Sequence, residues 1–349
     1  MNVYVICPEK LVTGGPDALH QMVFYLNDVG VQAKIAYITS KKREDVVIPQ
    51  PYRVYIKDFV LEKDIEDSIN NIIVIAETFT RERKRFHNAQ VFIWWLSVDN
   101  SLFWNFSKKI FILATLPLRW LIKHKLYKNQ IKFIVQSILR KEIYSFHSES
   151  QNVSHICASY YAYNFISHKS RRKISLCIEP ISKLFLNIFF NELKTISKGN
   201  RGNTILYNPK KGYTHIINKI NKLVPELKFE PLESLTQQQL IDKYKTSKLY
   251  IDFGTFPGAE RIPKEAVLFG CAIITGKRGA SGFYEDVPIP EEYKFGSPEK
   301  QIKDIAEKIK FVLNNYEQVY SDFDEYRNTV LNLEGNFIKS LKEIFLQQE

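Results

Sequence analysis

The feature that most constrains this chain is a rhythm of short apolar runs and loops, clearest from Tyr250 to Phe283: YIDFGTFPGAERIPKEAVLFGCAIITGKRGASGF. The run YIDFG stops at Gly254, and a turn holding Pro257 and Gly258 follows. The spacing predicts a helix that opens around Glu260–Pro263, carries Glu265 and Ala266 and closes at Gly270. CAIITG then reads as the next strand. Short strands feeding helices through Gly/Pro loops build an open parallel sheet, and ligands bind such sheets beyond the carboxyl ends of the strands. Arg261, Lys264 and Glu265 fall at such an end, on the first turn of the expected helix. A helix N-terminus and cations favour phosphate there, and a carboxylate can take sugar hydroxyls.

The same rhythm opens the chain. NVYVIC reads as a buried strand and PEKLVTGGPDA as a loop. ALHQMVFYLNDVG is an expected helix, with Leu19, Met22, Val23 and Leu26 at helical spacing, and VQAKIAYI a second strand. Gly14-Gly15 is open to two readings: a tight turn, or close approach of backbone N–H groups to a phosphate or sugar. Further strands are expected at YRVYI (52–56), NIIVIAE (71–77), AQVFIWW (89–95), VSHICAS (153–159) and ISLCIEP (174–180). Glu77 and Asp99-Asn100 then stand at strand carboxyl ends, as acceptor-binding or base candidates or as caps of following helices. Asp17 is a further acid beside the glycines. His20 is an acceptor-side candidate or a helix-surface histidine.

A chain of 349 residues accommodates two such units. SKGNRGN (197–203), polar and glycine-bearing, is the expected linker. It divides an N-terminal domain, 1–197, from a C-terminal domain, 198–349. In the second half, NTILYNP feeds a Lys210-Lys211 loop, and Thr236 is an expected helix cap.

Net charge is +11, and the excess is local: Ser101 to Arg140 holds eight Lys/Arg and no Asp or Glu. The block at about 101–133 mixes these cations with Trp104, Phe106, Trp120 and aliphatic residues. Its composition suits an interfacial helix on an anionic membrane surface, with Trp104, Lys108, Lys109, Arg119, Trp120, Lys123 and Lys125 in contact. A solvated helix with one face on the core is the other reading. A nucleic-acid partner is not expected, because no recognisable RNA- or DNA-binding module surrounds the block. No apolar run reaches the roughly 18 residues of a spanning helix. The N-terminus has no leader-like pattern. Four scattered cysteines without a Cys/His cluster read as free buried thiols in a reducing cytoplasm, and no zinc site is expected.

These residues line up with a known family. The Gly-Gly loop after strand one, the Lys-Gly loop of the second half, and E-A-x-x-x-G-x-x-x-I-x-T together resemble the GT-B glycosyltransferases, closest to the glycogen-synthase-like branch. IWWLSVDN, YNPKKG, PGAERIPKEA, GKRGAS and DVPIP resemble bacterial lipopolysaccharide and capsule transferases more narrowly. The resemblance covers both halves but not residues 101–150. It implies an α/β fold of two Rossmann-like domains facing each other across a cleft. It implies transfer of a sugar from a nucleoside-diphosphate sugar to a lipid-linked or growing glycan acceptor, at the inner face of the cytoplasmic membrane. Glu265 would take the ribose hydroxyls. Lys210 or Lys211 would meet the diphosphate, with Asn208 in that loop and Arg261 as a second clamp. Gly279, Ala280 and Ser281 would form the Gly-rich turn, and Gly14-Gly15 would close over phosphates and acceptor. The branch carries a Glu eight residues before Glu265, where this chain has Pro257; Glu260 is the nearest acid. Asp17, Glu77, Asp99 and Glu260 are therefore the catalytic candidates. A non-catalytic glycan- or nucleotide-binding scaffold of the same fold is the alternative. With no metal-binding acidic loop in place, no cofactor is expected, and Lys, Arg and helix N-termini would stabilise the leaving group.

Overall fold

The structure, a computed structural model, describes residues 1–100, 144–192, 199, 201–211 and 213–346. The chain divides into two compact units. The first holds Met1–Ala158, Ala162–Cys177 and the end of the last helix from Leu341; the second holds Ser159–Tyr161 and Ile178–Ser340.

In the first unit a seven-stranded sheet is built from β1 (Asn2–Pro8), β2 (Ala33–Ile38), β3 (Phe59–Leu61), β4 (Asn71–Ala76), β5 (Gln90–Trp95), β6 (Val153–Cys157) and β7 (Ile174–Leu176). Its order is β3-β2-β1-β4-β5-β6-β7, with every pair parallel. Parallel sheets are covered on both faces, so their strands are apolar throughout rather than alternating. NIIVIA in β4 is buried at every position. The return from β1 to β2 runs through α1 (Gly14–Asp28), which buries the expected stripe Leu19, Met22, Val23 and Leu26. Strand order reverses between β1 and β4, which makes the carboxyl ends of those two strands the switch point of the sheet.

One expected strand is absent. YRVYI forms a turn, and the strand pairing with β2 lies downstream at Phe59–Leu61. Pro49 and Pro51 start a 3-10 turn there, since proline fixes φ and gives no N–H to a ladder. Tyr52 is spent on another contact: its hydroxyl accepts the Thr13 N–H at 3.2 Å and faces the Leu11 and Thr13 carbonyls at 3.2 and 3.3 Å.

The second unit carries a five-stranded sheet of β8 (Gly202–Tyr207), β9 (Lys228–Pro231), β10 (Ser247–Asp252), β11 (Ala272–Gly276) and β12 (Lys294–Phe295), in the order β12-β11-β10-β8-β9 and again all parallel. Between α2 (Tyr160–Ser167) and β8, α3 (Lys183–Glu192) puts Phe185, Leu186 and Phe189 into this core. The crossovers are α4 (Thr214–Leu223), α5 (Gln237–Thr246) and α6 (Arg261–Leu268). Thr236 caps α5 as expected, in a reciprocal box with Gln239. The helices α7 (Ile302–Asn314) and α8 (Asp324–Phe345) follow. The switch point here lies between β8 and β10.

The SKGNRGN stretch is not the edge of this unit, because the chain enters it at Ile178. Arg201, expected in an exposed linker, is 7% exposed. Its guanidinium donates to the carbonyls of Tyr244, Ser247 and Phe269 at 2.8, 2.9 and 2.6 Å. The helix α8 starts in the second unit and ends in the first, where Phe345 lies 5.5 Å from the ring of Phe92. All four cysteines are free and buried. Among the described residues no helix is long and apolar enough to cross a membrane.

Candidate functional site

The switch point of the second sheet gathers charge. β8 runs out into Asn208, whose side-chain oxygen accepts the Lys210 N–H at 3.1 Å and turns the chain. Lys210 is exposed, whereas the Lys211 side chain is 17% exposed and reaches across to the end of β10. Its ammonium donates to Glu260 Oε1 at 2.8 Å and to the Thr255 carbonyl at 3.0 Å, and lies 5.0 Å from the Phe256 ring centre. Gly254 makes room for this reach. A Cβ at that position would stand 2.7 Å from Lys211 Cβ and 2.9 Å from Asp252 Oδ1.

Glu260 is the N-cap residue of α6, yet its carboxylate makes no capping bond. At the next residue, Arg261 Nε stands 3.8 Å from Oε1 of Glu265 one turn on, and the Glu265 side chain is 5% exposed. Burial pushes Glu260 above the usual carboxylate range, with the Lys211 charge working against the shift. Asp252 rises for the same reason. It accepts the Gly254 N–H at 2.8 Å and the Tyr250 hydroxyl at 2.9 Å. Lys264 is turned inward and 4% exposed; burial lowers its pKa, and the charges of Glu179 and Asp286 oppose that.

The Gly-rich turn is braced onto the same loop. Phe256 donates its N–H to Arg278 O at 2.9 Å, and Ala280 donates back to Phe256 O at 2.8 Å. Gly279 sits at φ 71 between them. Ala280 and Ser281 are fully buried, and the Ser281 hydroxyl donates to Arg278 O at 3.1 Å. Of the three expected donor contacts, these two thus present no exposed side chain.

Two further charged side chains complete this corner, Asp252 and Arg278. Asp252 lies within YIDFG and reads there as part of a strand. Arg278 lies in GKRGAS; it makes a two-pronged bond to Glu299 at 2.7 and 2.9 Å and lies 4.7 Å from the Tyr213 ring. A charge at or just beyond the carboxyl end of a strand is the available signal for both.

The switch point of the first sheet is built differently. Gly14 and Gly15 form the first turn of α1 behind an extended Thr13. A Cβ on Gly15 would touch Leu96 at 3.8 Å, an ordinary contact, so close backbone packing does not itself require glycine there. Glu77 follows β4, 5% exposed, and accepts the Leu96 N–H at 3.1 Å. Asp17 is 8% exposed and accepts from the Gln21 amide at 2.7 Å. Asp99 and Asn100 close a short 3-10 turn after β5, Asp99 half-buried and Asn100 exposed.

His20 needs correction on both readings. It is neither on the helix surface nor open to an acceptor: the ring is 0% exposed. It stacks on Tyr52 at 4.0 Å, with Nδ1 2.6 Å from Pro16 O and Nε2 2.8 Å from the Tyr37 hydroxyl. Burial lowers its pKa to about 4. The neutral tautomer with the proton on Nδ1 donates to Pro16 and accepts from Tyr37. The expected membrane-contact residues Trp104, Lys108, Lys109, Arg119, Trp120, Lys123 and Lys125 lie outside the described residues.

No protein-family model and no curated protein sequence matches this chain. Solved structures do. A sucrose-phosphate synthase from Thermosynechococcus elongatus aligns with a TM-score of 0.58 at 11% identity, over 99% of this chain and 98% of its own. WaaG, a glycosyltransferase involved in lipopolysaccharide biosynthesis, aligns at 0.52 with 9% identity over 99% and 100%. The pneumococcal O-GlcNAc transferase GtfA, solved with UDP and GlcNAc, aligns at 0.51 with 10% identity over 99% and 98%. The two parallel sheets are those of the GT-B glycosyltransferase fold.

Proposed function

We propose that the protein is a glycosyltransferase that moves a sugar from a nucleoside-diphosphate sugar to a lipid-linked or growing surface-glycan acceptor, as in lipopolysaccharide or capsule synthesis. The observation that carries the reading is the convergence of Lys211, Glu260, Arg261 and Glu265 at the switch point of the second sheet. Departure of a nucleoside diphosphate builds negative charge where it leaves. A half-buried ammonium and the N-terminus of α6 are fixed donors suited to that charge, worth more there than in water. On this reading the reaction needs no metal, Glu265 holds the ribose, and Lys211 with Arg261 meets the diphosphate. Glu77, Asp17 and Asp99 are the acids on the acceptor side. The basic aromatic block would hold the protein at the cytoplasmic face of an anionic membrane, beside a lipid-borne acceptor. UDP-containing relatives of the fold support a nucleotide-sugar donor.

Thermal-shift titration with UDP, GDP, ADP and CDP tests the reading, because a ligand bound to the native state raises the melting temperature by mass action. At least one diphosphate should bind in the presence of chelator. Glu265→Ala should weaken it by about tenfold or more, the scale of one hydrogen bond to a charged group, with the melting temperature of the free protein little changed. Unaltered affinity in that variant removes the donor-site assignment.

A further inference from the structure

We propose that the Glu260 carboxylate is a displaceable stand-in for the donor's phosphate, covering the Lys211 ammonium until a diphosphate takes its place. The inference rests on the donor-site reading above and adds to it the state of the site before the donor arrives.

The geometry is that of an occupied anion site. A lysine has three N–H donors. At Lys211 one is taken by Glu260 at 2.8 Å and one by the Thr255 carbonyl at 3.0 Å, with the Phe256 ring 5.0 Å away. The lysine is fixed: its stem runs against Gly254, where even a methyl group would collide with it. The carboxylate is held far less. It forgoes the capping bond that an N-cap side chain can make to the first turn of its own helix, and among the described residues its ion pair is with Lys211. Burial, first, and Asp252 oppose its charge, while Lys211 and, through space, Lys264 favour it. An anion hydrogen-bonded to one cation, with Lys264 acting on it only through space, gives way to one carrying more charge and more acceptor oxygens. The freed Glu260 would leave both Lys211 and the α6 amides to the diphosphate.

The arrangement predicts an unusual sign, in that deleting a site residue should tighten binding. Glu260→Gln keeps the shape and removes the charge. Calorimetric titration with UDP, GDP, ADP and CDP, each beside its parent nucleoside, should show the diphosphate bound about tenfold tighter than by the unmodified protein, the scale of one charge-assisted bond. Affinity for the nucleoside should not move. In a Lys211→Gln background the same substitution should have no effect. Glu260→Ala, with its melting temperature checked, should act in the same direction. Unchanged or weaker diphosphate binding in both Glu260 variants, while the unmodified protein binds and Glu265→Ala binds more weakly, overturns the stand-in and leaves the donor site in place. If no diphosphate binds either the unmodified protein or Glu260→Gln, the donor-site reading itself fails, and this inference with it.

Discussion

At the scale of single residues, burial decides what a titratable group can do. His20 occupies a position in the helix after the first Gly-Gly loop where an acceptor base is plausible from sequence alone. The fold instead encloses it between Tyr37 and Tyr52. An unfolded histidine titrates near 6.5, and the folded ring near 4. Below about pH 6.5 the unfolded chain takes up a proton that the native His20 refuses, so native stability falls as the pH drops toward 4. The contribution is on the order of 3 kcal/mol at most. Asp286 acts in the opposite sense. Burial raises it to about 6, so its share of stability is present at low pH and is lost as the pH rises from about 4 to about 6. Comparing variant with parent isolates the histidine. His20→Gln should show a shallower loss of urea-unfolding stability between pH 6.5 and 5 than the unmodified chain. An identical slope would mean that His20 is not the buried neutral ring described above.

At the scale of elements, the corner that runs from β10 through α6 to the Gly-rich turn was legible residue by residue. Val and Ile runs mark fully buried strands, Pro263 suits the first turn of a helix, and Gly270 ends it. What the linear pattern leaves out is the pairing of two loops, because no periodicity reports on it. Phe256 and Gly279 form an isolated parallel bridge, and Gly279 lies in the left-handed region with Phe256 O only 2.1 Å from where a Cβ would be. Gly279→Ala should therefore destabilise the second unit by more than about 2 kcal/mol, combining left-handed strain with a backbone collision. Urea unfolding of the variant measures it; a neutral result would show that the two loops are not braced together. YRVYI illustrates the converse. Its composition is strand-like, but neighbouring prolines and the Tyr52 hydroxyl commit it to a turn. Glu77 was legible as a strand-end acid. Its bond to Leu96 was not, since it joins residues from two different strand ends.

At the scale of the whole molecule, charge and domain limits matter most. Eight cations without an acid between Ser101 and Arg140 account for most of the net charge of +11. Near an anionic leaflet each is worth about 1 kcal/mol. Replacing Lys108, Lys109, Lys123 and Lys125 by Gln should release the protein from phosphatidylserine vesicles in a sedimentation assay, and the parent should also release as salt rises. Retention of the variant would show that the block is no electrostatic anchor. The strand–helix rhythm announced two α/β units, but composition misplaced the join. Gly and polar residues mark SKGNRGN as a linker, and the three carbonyls around Arg201 show that this one residue is interior.

The path of α8 has a consequence for biosynthesis. Phe92 leaves the ribosome long before its neighbour Phe345, which is encoded after the whole of the second sheet. The amino-terminal sheet therefore lacks part of its covering until the second unit has been translated, so it cannot reach its finished packing before that unit has emerged.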